Sequence, residues 1–118
     1  MLIHETAVAE SVFKTILEHA KKLDAKPVCA TISCGMLNPL NDEIVNFAFA
    51  AAAKGSVCEG MKLNIVHIPL KAKCKSCGET FEFDLFSEGC KSCKSPDISF
   101  EPDAALLLED IEFEDKRS

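Results

Sequence analysis

Apolar residues recur at helical spacing in two segments of the chain. From residue 4 to residue 22 they fall at every third or fourth position with charged residues between them, which predicts an amphipathic helix. The residues expected on its buried side are Val8, Val12, Phe13, Ile16, Leu17 and Ala20. A second helix is predicted between segment 38–42 and Gly55. Segment 38–42 contains Asn and Asp residues that can cap the helix N-terminus, and Gly55 can end the helix. Its predicted apolar stripe consists of Ile44, Phe47, Ala48 and Ala51.

Three other segments are rich in β-branched and small apolar residues and predict strands. They cover residues 28–35, residues 61–68, where Pro69 follows, and residues 105–114. The order of elements predicts an α+β fold, with two helices on a three-stranded sheet and an inserted zinc-ribbon-like module before the last strand. We divide the chain into a domain of residues 1–69 plus 97–118 and a metal-binding module of residues 70–96.

The module contains two Cys-x2-Cys pairs, Cys74/Cys77 and Cys90/Cys93, in the segment CKSCGETFEFDLFSEGCKSC. Each pair turns the backbone so that two sulfurs face one ion, and two pairs complete a tetrahedron that suits zinc. An iron site of the rubredoxin type uses similar pairs, but the gap between these pairs is short for that fold. Four protein sulfurs leave no coordination position open, so we predict a structural zinc site and no catalytic residue.

The charge and composition of the chain disfavour some classes of binding partner. Thirteen Lys and Arg residues against 19 Asp and Glu give a net charge of −6, which disfavours nucleic acid. The lysines near the cysteine pairs are interpreted as compensation for thiolate charge. The sequence shows neither a signal peptide nor an apolar run of about 18 residues, so we expect a cytoplasmic protein without a membrane span. An odd count of seven cysteines favours reduced thiols and metal over disulfides.

The remaining cysteines and histidines have ordinary structural interpretations. Cys29, Cys34 and Cys58 lie in or beside apolar segments and are expected to be small buried residues. His67, near the end of the second predicted strand, is interpreted as a surface or edge residue. His19 is expected to be solvated on the first helix.

The N-terminal sequence MLIHET places the imidazole of His4 close to the free amine. Nickel(II) favours planar sites of nitrogen donors, and an amine, a deprotonated backbone amide and an imidazole can form fused chelate rings around it. His4 is therefore a candidate nickel ligand.

Several motifs together resemble the HypA/HybF family. They are His4-Glu5 at the start of the first helix, NFAFAAAAKGSVCEGMKLNI over residues 46–65, Pro69, the two cysteine pairs and a C-terminal IEFE. Members of this family are nickel metallochaperones for maturation of nickel-iron hydrogenase and, in some organisms, of urease. The resemblance implies an α+β nickel domain with a structural zinc module, and a nickel site that uses His4 and Glu5. Our leading hypothesis is that the protein hands nickel to a hydrogenase maturation GTPase or directly to the hydrogenase large subunit. We expect a monomer or weak homodimer.

The chain departs from the family pattern in two places. The family histidine directly follows the initiator methionine, whereas Ile3 precedes His4 here, and translation from the codon of Ile3 would produce a Met-His-Glu start. Ala50 stands where the family commonly has Glu, and Asp42 is the candidate for an additional carboxylate near nickel. These departures motivate an alternative function, a zinc-ribbon adaptor between proteins that has lost nickel handling.

Overall fold

The computed structural model describes residues 5–84 and 89–114. The elements in chain order are helix α1 (Glu5–Leu23), strand β1 (Pro27–Gly35), helix α2 (Asp42–Ala53), strands β2 (Lys62–Ile68), β3 (Lys71–Cys74), β4 (Thr80–Glu82), β5 (Ile98–Phe100) and β6 (Leu107–Phe113). Both helices and the three longer strands end within two residues of the predicted positions. The start of α2 is the exception, because the sequence offers capping residues throughout segment 38–42.

Strand β1 is the centre of a three-stranded mixed sheet with the order β2-β1-β6. It pairs in parallel with β2, in a register that sets Ala30 beside Leu63 and Cys34 beside His67. It pairs antiparallel with β6, with two irregularities in register. The connection from β1 through α2 to β2 is a β-α-β unit, so the carboxyl ends of two parallel strands lie side by side.

The two helices share one core with the inward side of this sheet. Helix α1 buries its predicted stripe fully at Val8, Val12, Ile16 and Ala20 and partly at Phe13 and Leu17. The rings of Phe13 in α1 and Phe49 in α2 meet edge to face with centroids 6.2 Å apart. The predicted arrangement of two helices on a three-stranded sheet is therefore confirmed.

Helix α2 uses a different face from the predicted one. Its buried residues are Val45, Phe49 and Ala53, whereas Phe47 is 79% exposed and Ile44 is 50% exposed. Of the expected stripe, only Ala48 packs against the core, and it is partly buried. The prediction was wrong for Ile44, Phe47 and Ala51, because residues 44–53 contain apolar residues on every side and periodicity does not choose between faces. The position of α1 and the sheet makes that choice. The helix begins after Asn41, whose Oδ1 accepts a hydrogen bond from the backbone N–H of Ile44 at 3.0 Å.

The cysteine segment forms a second three-stranded sheet with the order β4-β3-β5, in which both pairings are antiparallel. This sheet lies in the chain between β2 and β6, as expected for an inserted module. The hydrogen bonding of the module continues past residue 96, since Ile98–Phe100 pairs with β3. The division into two domains at residues 69/70 and 96/97 stays a prediction. Within the described ranges, neither helix is both long enough and apolar enough to cross a membrane.

Candidate metal centres

The four sulfurs of the predicted cage converge on one point. Cys74 Sγ lies 3.5 Å from Cys93 Sγ, Cys77 Sγ lies 3.6 Å from Cys90 Sγ, and all four sulfurs lie within 4.8 Å of one another. Four sulfurs at about 2.3 Å from a tetrahedral zinc ion are separated by about 3.8 Å, so this donor set fits zinc with little adjustment. Bound zinc would cross-link the two turns and stabilise the fold of the module.

The two cysteine turns are built alike. In the first, Cys74 Sγ accepts a hydrogen bond from the N–H of Cys77 at 3.4 Å, and Gly78 N–H donates to the Cys74 carbonyl at 3.0 Å. In the second, Cys90 Sγ accepts from the N–H of Cys93 at 3.5 Å, and Lys94 N–H donates to the Cys90 carbonyl at 2.9 Å. These backbone donors face the sulfurs, so they stabilise negative charge on a thiolate.

The last residue of each turn has a left-handed backbone. Gly78 has φ of 81° and Lys94 has φ of 65°, and this region is readily available to glycine but costly for lysine. Gly89, just before the second pair, is needed for space as well, because a Cβ atom there would lie 2.4 Å from the carbonyl oxygen of Ser95. Gly78 and Gly89 therefore both serve the tight turns of the cage.

The four thiols differ in acidity when no metal is bound. The N–H of Cys77 lowers the pKa of Cys74 to about 6, and the N–H of Cys93 lowers the pKa of Cys90. For Cys77 the N–H of Glu79 acts to lower the pKa, but desolvation and the neighbouring sulfurs outweigh it and raise the pKa to about 12. One thiol in each turn therefore ionises first, and its charge opposes ionisation of the others.

Of the two predicted nickel ligands, His4 lies outside the described residues and Glu5 is the first described residue of α1. The Glu5 carboxylate accepts a hydrogen bond from the backbone N–H of Asn41 at 3.1 Å. Asn41 is the N-cap of α2, so the start of α1 is held against the start of α2. Asp42, the candidate additional carboxylate, is the next residue of that helix.

His67 has two side-chain partners that the sequence interpretation missed. Its Nε2 lies 2.7 Å from Asp42 Oδ1, and its Nδ1 lies 3.3 Å from Cys34 Sγ. Cys34 is buried, whereas the side chains of His67 and Asp42 are 43% and 53% exposed. This cluster could have been predicted from the parallel pairing of two strands that a helix connects. That arrangement brings the strand ends and the helix start together.

Asp103 was also missed. Its carboxylate accepts hydrogen bonds from the backbone N–H groups of Met36 and Leu37, both at 3.0 Å. Gly35 permits this approach, since a Cβ atom at that position would lie 2.2 Å from an Asp103 carboxylate oxygen. The segment between β5 and β6 thus holds the loop that leads from β1 to the start of α2.

The other cysteines divide into two kinds. Cys34 and Cys58 are buried, as expected, and burial raises the pKa of the Cys58 thiol. The expectation was wrong for Cys29, which is only partly buried and donates its thiol hydrogen to the Glu112 carboxylate on β6 at 3.1 Å. That hydrogen bond raises the pKa of Cys29.

Comparison with known proteins identifies the family to which the chain belongs. The model of the family described as "HypA: Hydrogenase/urease nickel incorporation, metallochaperone, hypA" matches residues 3–113. The chain belongs to the HypA family. This family membership confirms the resemblance and identifies a nickel metallochaperone whose four-cysteine cluster fits structural zinc.

HypA relatives match over most of their length. The hydrogenase maturation factor HypA of Desulfitobacterium hafniense is 32% identical, with 96% of this chain and 100% of the relative covered. HypA of Methanocaldococcus jannaschii is 35% identical, with 79% of this chain and 82% of the relative covered. The solution structure of the Ni metallochaperone HypA from Helicobacter pylori has a TM-score of 0.59 and 26% identity, and covers 94% of this chain and 97% of that one.

Proposed function

We propose that the protein binds one Ni(II) ion at its N-terminal segment and delivers it for maturation of a nickel-iron hydrogenase. The observation that carries the proposal is the family match over residues 3–113, which includes both His4 and Glu5. The acceptor is a hydrogenase maturation GTPase or the hydrogenase large subunit. The protein acts by binding and release of metal, without a catalysed reaction. Thiolate ligands for zinc suit a reducing compartment, and we place the protein in the cytoplasm.

The proposed nickel ligands are the His4 imidazole, a nearby backbone nitrogen and the Glu5 carboxylate. The Glu5 side chain is only half-buried and is already oriented by the N–H of Asn41, so it can reach an ion without a large rearrangement. Imidazole and backbone nitrogen donors suit nickel, whereas the sulfur cage suits zinc. An ion held at a helix start in contact with water can be passed to a partner more quickly than one enclosed by four thiolates.

Calorimetric titration of the zinc-loaded protein with nickel tests this proposal. We expect one nickel ion per chain in the unmodified protein and loss of that binding in His4→Ala. His19→Ala is the matched control, because His19 is exposed on α1 and has no proposed role, and its nickel affinity should equal that of the unmodified protein. Unchanged nickel affinity in His4→Ala would overturn the assignment. The adaptor interpretation predicts no specific nickel binding by any of the three proteins.

A further inference from the structure

Helix α2 carries a second apolar stripe on the side that faces away from the core. Its members recur at the three- and four-residue spacing of a seam between helices, and they are Ile44, Phe47, Ala48 and Ala51. Phe47 is 79% exposed and Ile44 is 50% exposed, whereas Ala48 is partly buried. Exposed apolar side chains that follow one another along a helix are typical of a surface that binds another helix. This side of α2 therefore has the pattern of an interface.

The stripe combines a projecting ring with a groove. The groove has a volume of about 390 Å³ and is lined by Thr6 and Glu10 of α1 and by the small side chains of Ala48, Ala51 and Ala52 of α2. The ring of Phe47 lies at its edge. Small side chains allow a second helix to approach closely, and a phenylalanine ring of that helix can fill the groove. One surface thus provides both the projection and the hole, as a two-fold symmetric interface requires.

The two ends of α2 carry opposite charges. Glu43 lies in the first turn and Lys54 follows the last residue, and both side chains are exposed. When two copies of α2 cross antiparallel, Glu43 of each copy lies beside Lys54 of the other, and the helix dipoles also attract. Phe47 is near the midpoint of the helix, so the same alignment sets it against Ala48 and Ala51 of the other copy. Charge and packing therefore favour the same arrangement.

We propose that two copies of this chain associate through the exposed sides of their α2 helices, antiparallel, with Phe47 of each copy in the groove of the other. The proposal is independent of nickel binding. We expect contact between two helices of 12 residues to bury less than the area of about 1,200 Å² that stable complexes need. The dimer should therefore be weak, and the protein should be monomeric when dilute and dimeric when concentrated.

Sedimentation velocity of zinc-loaded, nickel-free protein at rising concentration tests the proposal with two variants. Leu23→Ala is the matched control for Phe47→Ala, because Leu23 is 57% exposed at the end of α1 and lies outside the stripe and the groove. We expect the unmodified protein and Leu23→Ala to dimerise with equal affinity. Phe47→Ala should weaken dimerisation about 100-fold or more, because one substitution removes two rings from a symmetric interface.

Two results of this experiment would overturn the proposal. A dimer that keeps its affinity in Phe47→Ala would use a different surface. An unmodified protein that stays monomeric up to millimolar concentration would leave the exposed side of α2 to a different partner.

Charge reversal tests the antiparallel alignment. Glu43→Lys brings two positive charges together at each end of the contact, and Lys54→Glu brings two negative charges together, so each variant alone should dimerise several-fold more weakly. An equimolar mixture of the two variants should associate about as well as the unmodified protein, because each end again joins opposite charges. Glu18→Lys, exposed on α1, is the control and should keep the unmodified affinity. A mixture that associates no better than its components would contradict the alignment.

A measurement on the unmodified protein covers the case in which a variant fails to fold. In NMR spectra recorded over a dilution series, the side-chain signals of Ile44, Phe47 and Ala51 should shift with concentration, while those of Leu23 stay in place. Concentration-dependent shifts confined to the cysteine module or to the strands would refute the role of α2. No nickel is present, so failure of this proposal leaves the proposed function intact, and loss of nickel binding in His4→Ala leaves the dimer untouched.

Discussion

At the scale of single residues, the zinc cage depends on thiols that must lose protons before metal binds. Around neutral pH Cys74, whose pKa is lowered to about 6 by the N–H of Cys77, is largely ionised in the metal-free protein. Cys77, whose pKa is raised to about 12 despite the opposing N–H of Glu79, still carries its proton. Zinc binding at neutral pH therefore displaces at least one proton.

This difference in acidity predicts how zinc affinity depends on pH. Bound zinc favours the thiolate form, so affinity should rise with pH between about 6 and about 12, where Cys77 is still protonated in the free protein. Affinity should fall more steeply below about 6, where Cys74 is protonated as well. Chelator competition at several pH values measures the slope. A pH-independent zinc affinity would contradict this account, and Cys29→Ser, outside the cage, should keep the slope of the unmodified protein.

The residues that sequence interpretation missed have their partners far away in the chain. The four cage cysteines were predictable because the metal fixes their spacing in two short turns. His67, in contrast, meets Asp42 and Cys34 only through the parallel register of β1 and β2. Asp103 contacts backbone groups 66 and 67 residues away. Such contacts follow from the tertiary fold, so they produce no local pattern in the sequence.

At the scale of elements, most ends of the two helices and of β1, β2 and β6 were predictable, but the short strands β3, β4 and β5 and the buried face of α2 were not. Capping and periodicity act locally, so they locate α1 and restrict the start of α2 to residues 38–42. The face is decided by neighbours, because Phe49 packs on Phe13 while Phe47, two residues earlier, is 79% exposed. The same residue type thus occupies two opposite environments within one helix turn.

Replacing each of these two phenylalanines with alanine should show how far their environments differ in their contribution to stability. Phe49→Ala removes a ring that is 2% exposed and should lower the free energy of unfolding by about 3–5 kcal/mol, because it leaves a cavity in the shared core. Phe47→Ala is the matched control and should change it by no more than about 0.5 kcal/mol. Urea unfolding of zinc-loaded protein, followed by helical circular dichroism, measures both. Similar losses for the two variants would contradict the observed face.

At the scale of the whole molecule, the four-cysteine cage and the proposed nickel site differ in character. The cage offers four sulfurs to one ion, whereas Glu5 and Asp42, at the starts of the two helices, offer carboxylates that are partly exposed. Asp103 ties the return from the cysteine module to the loop before α2. We therefore expect the cage to keep its zinc ion and the proposed nickel site to exchange its ion.

The most direct test of this account is a chelator competition on protein loaded with both metals. A chelator of moderate affinity is added, and the nickel and zinc that remain bound are measured over time. We expect one nickel ion per chain to leave within minutes while the zinc stays with the four cysteines. Release of both metals together, or nickel retained in the cage in place of zinc, would contradict the separation of a transferable site from a structural one.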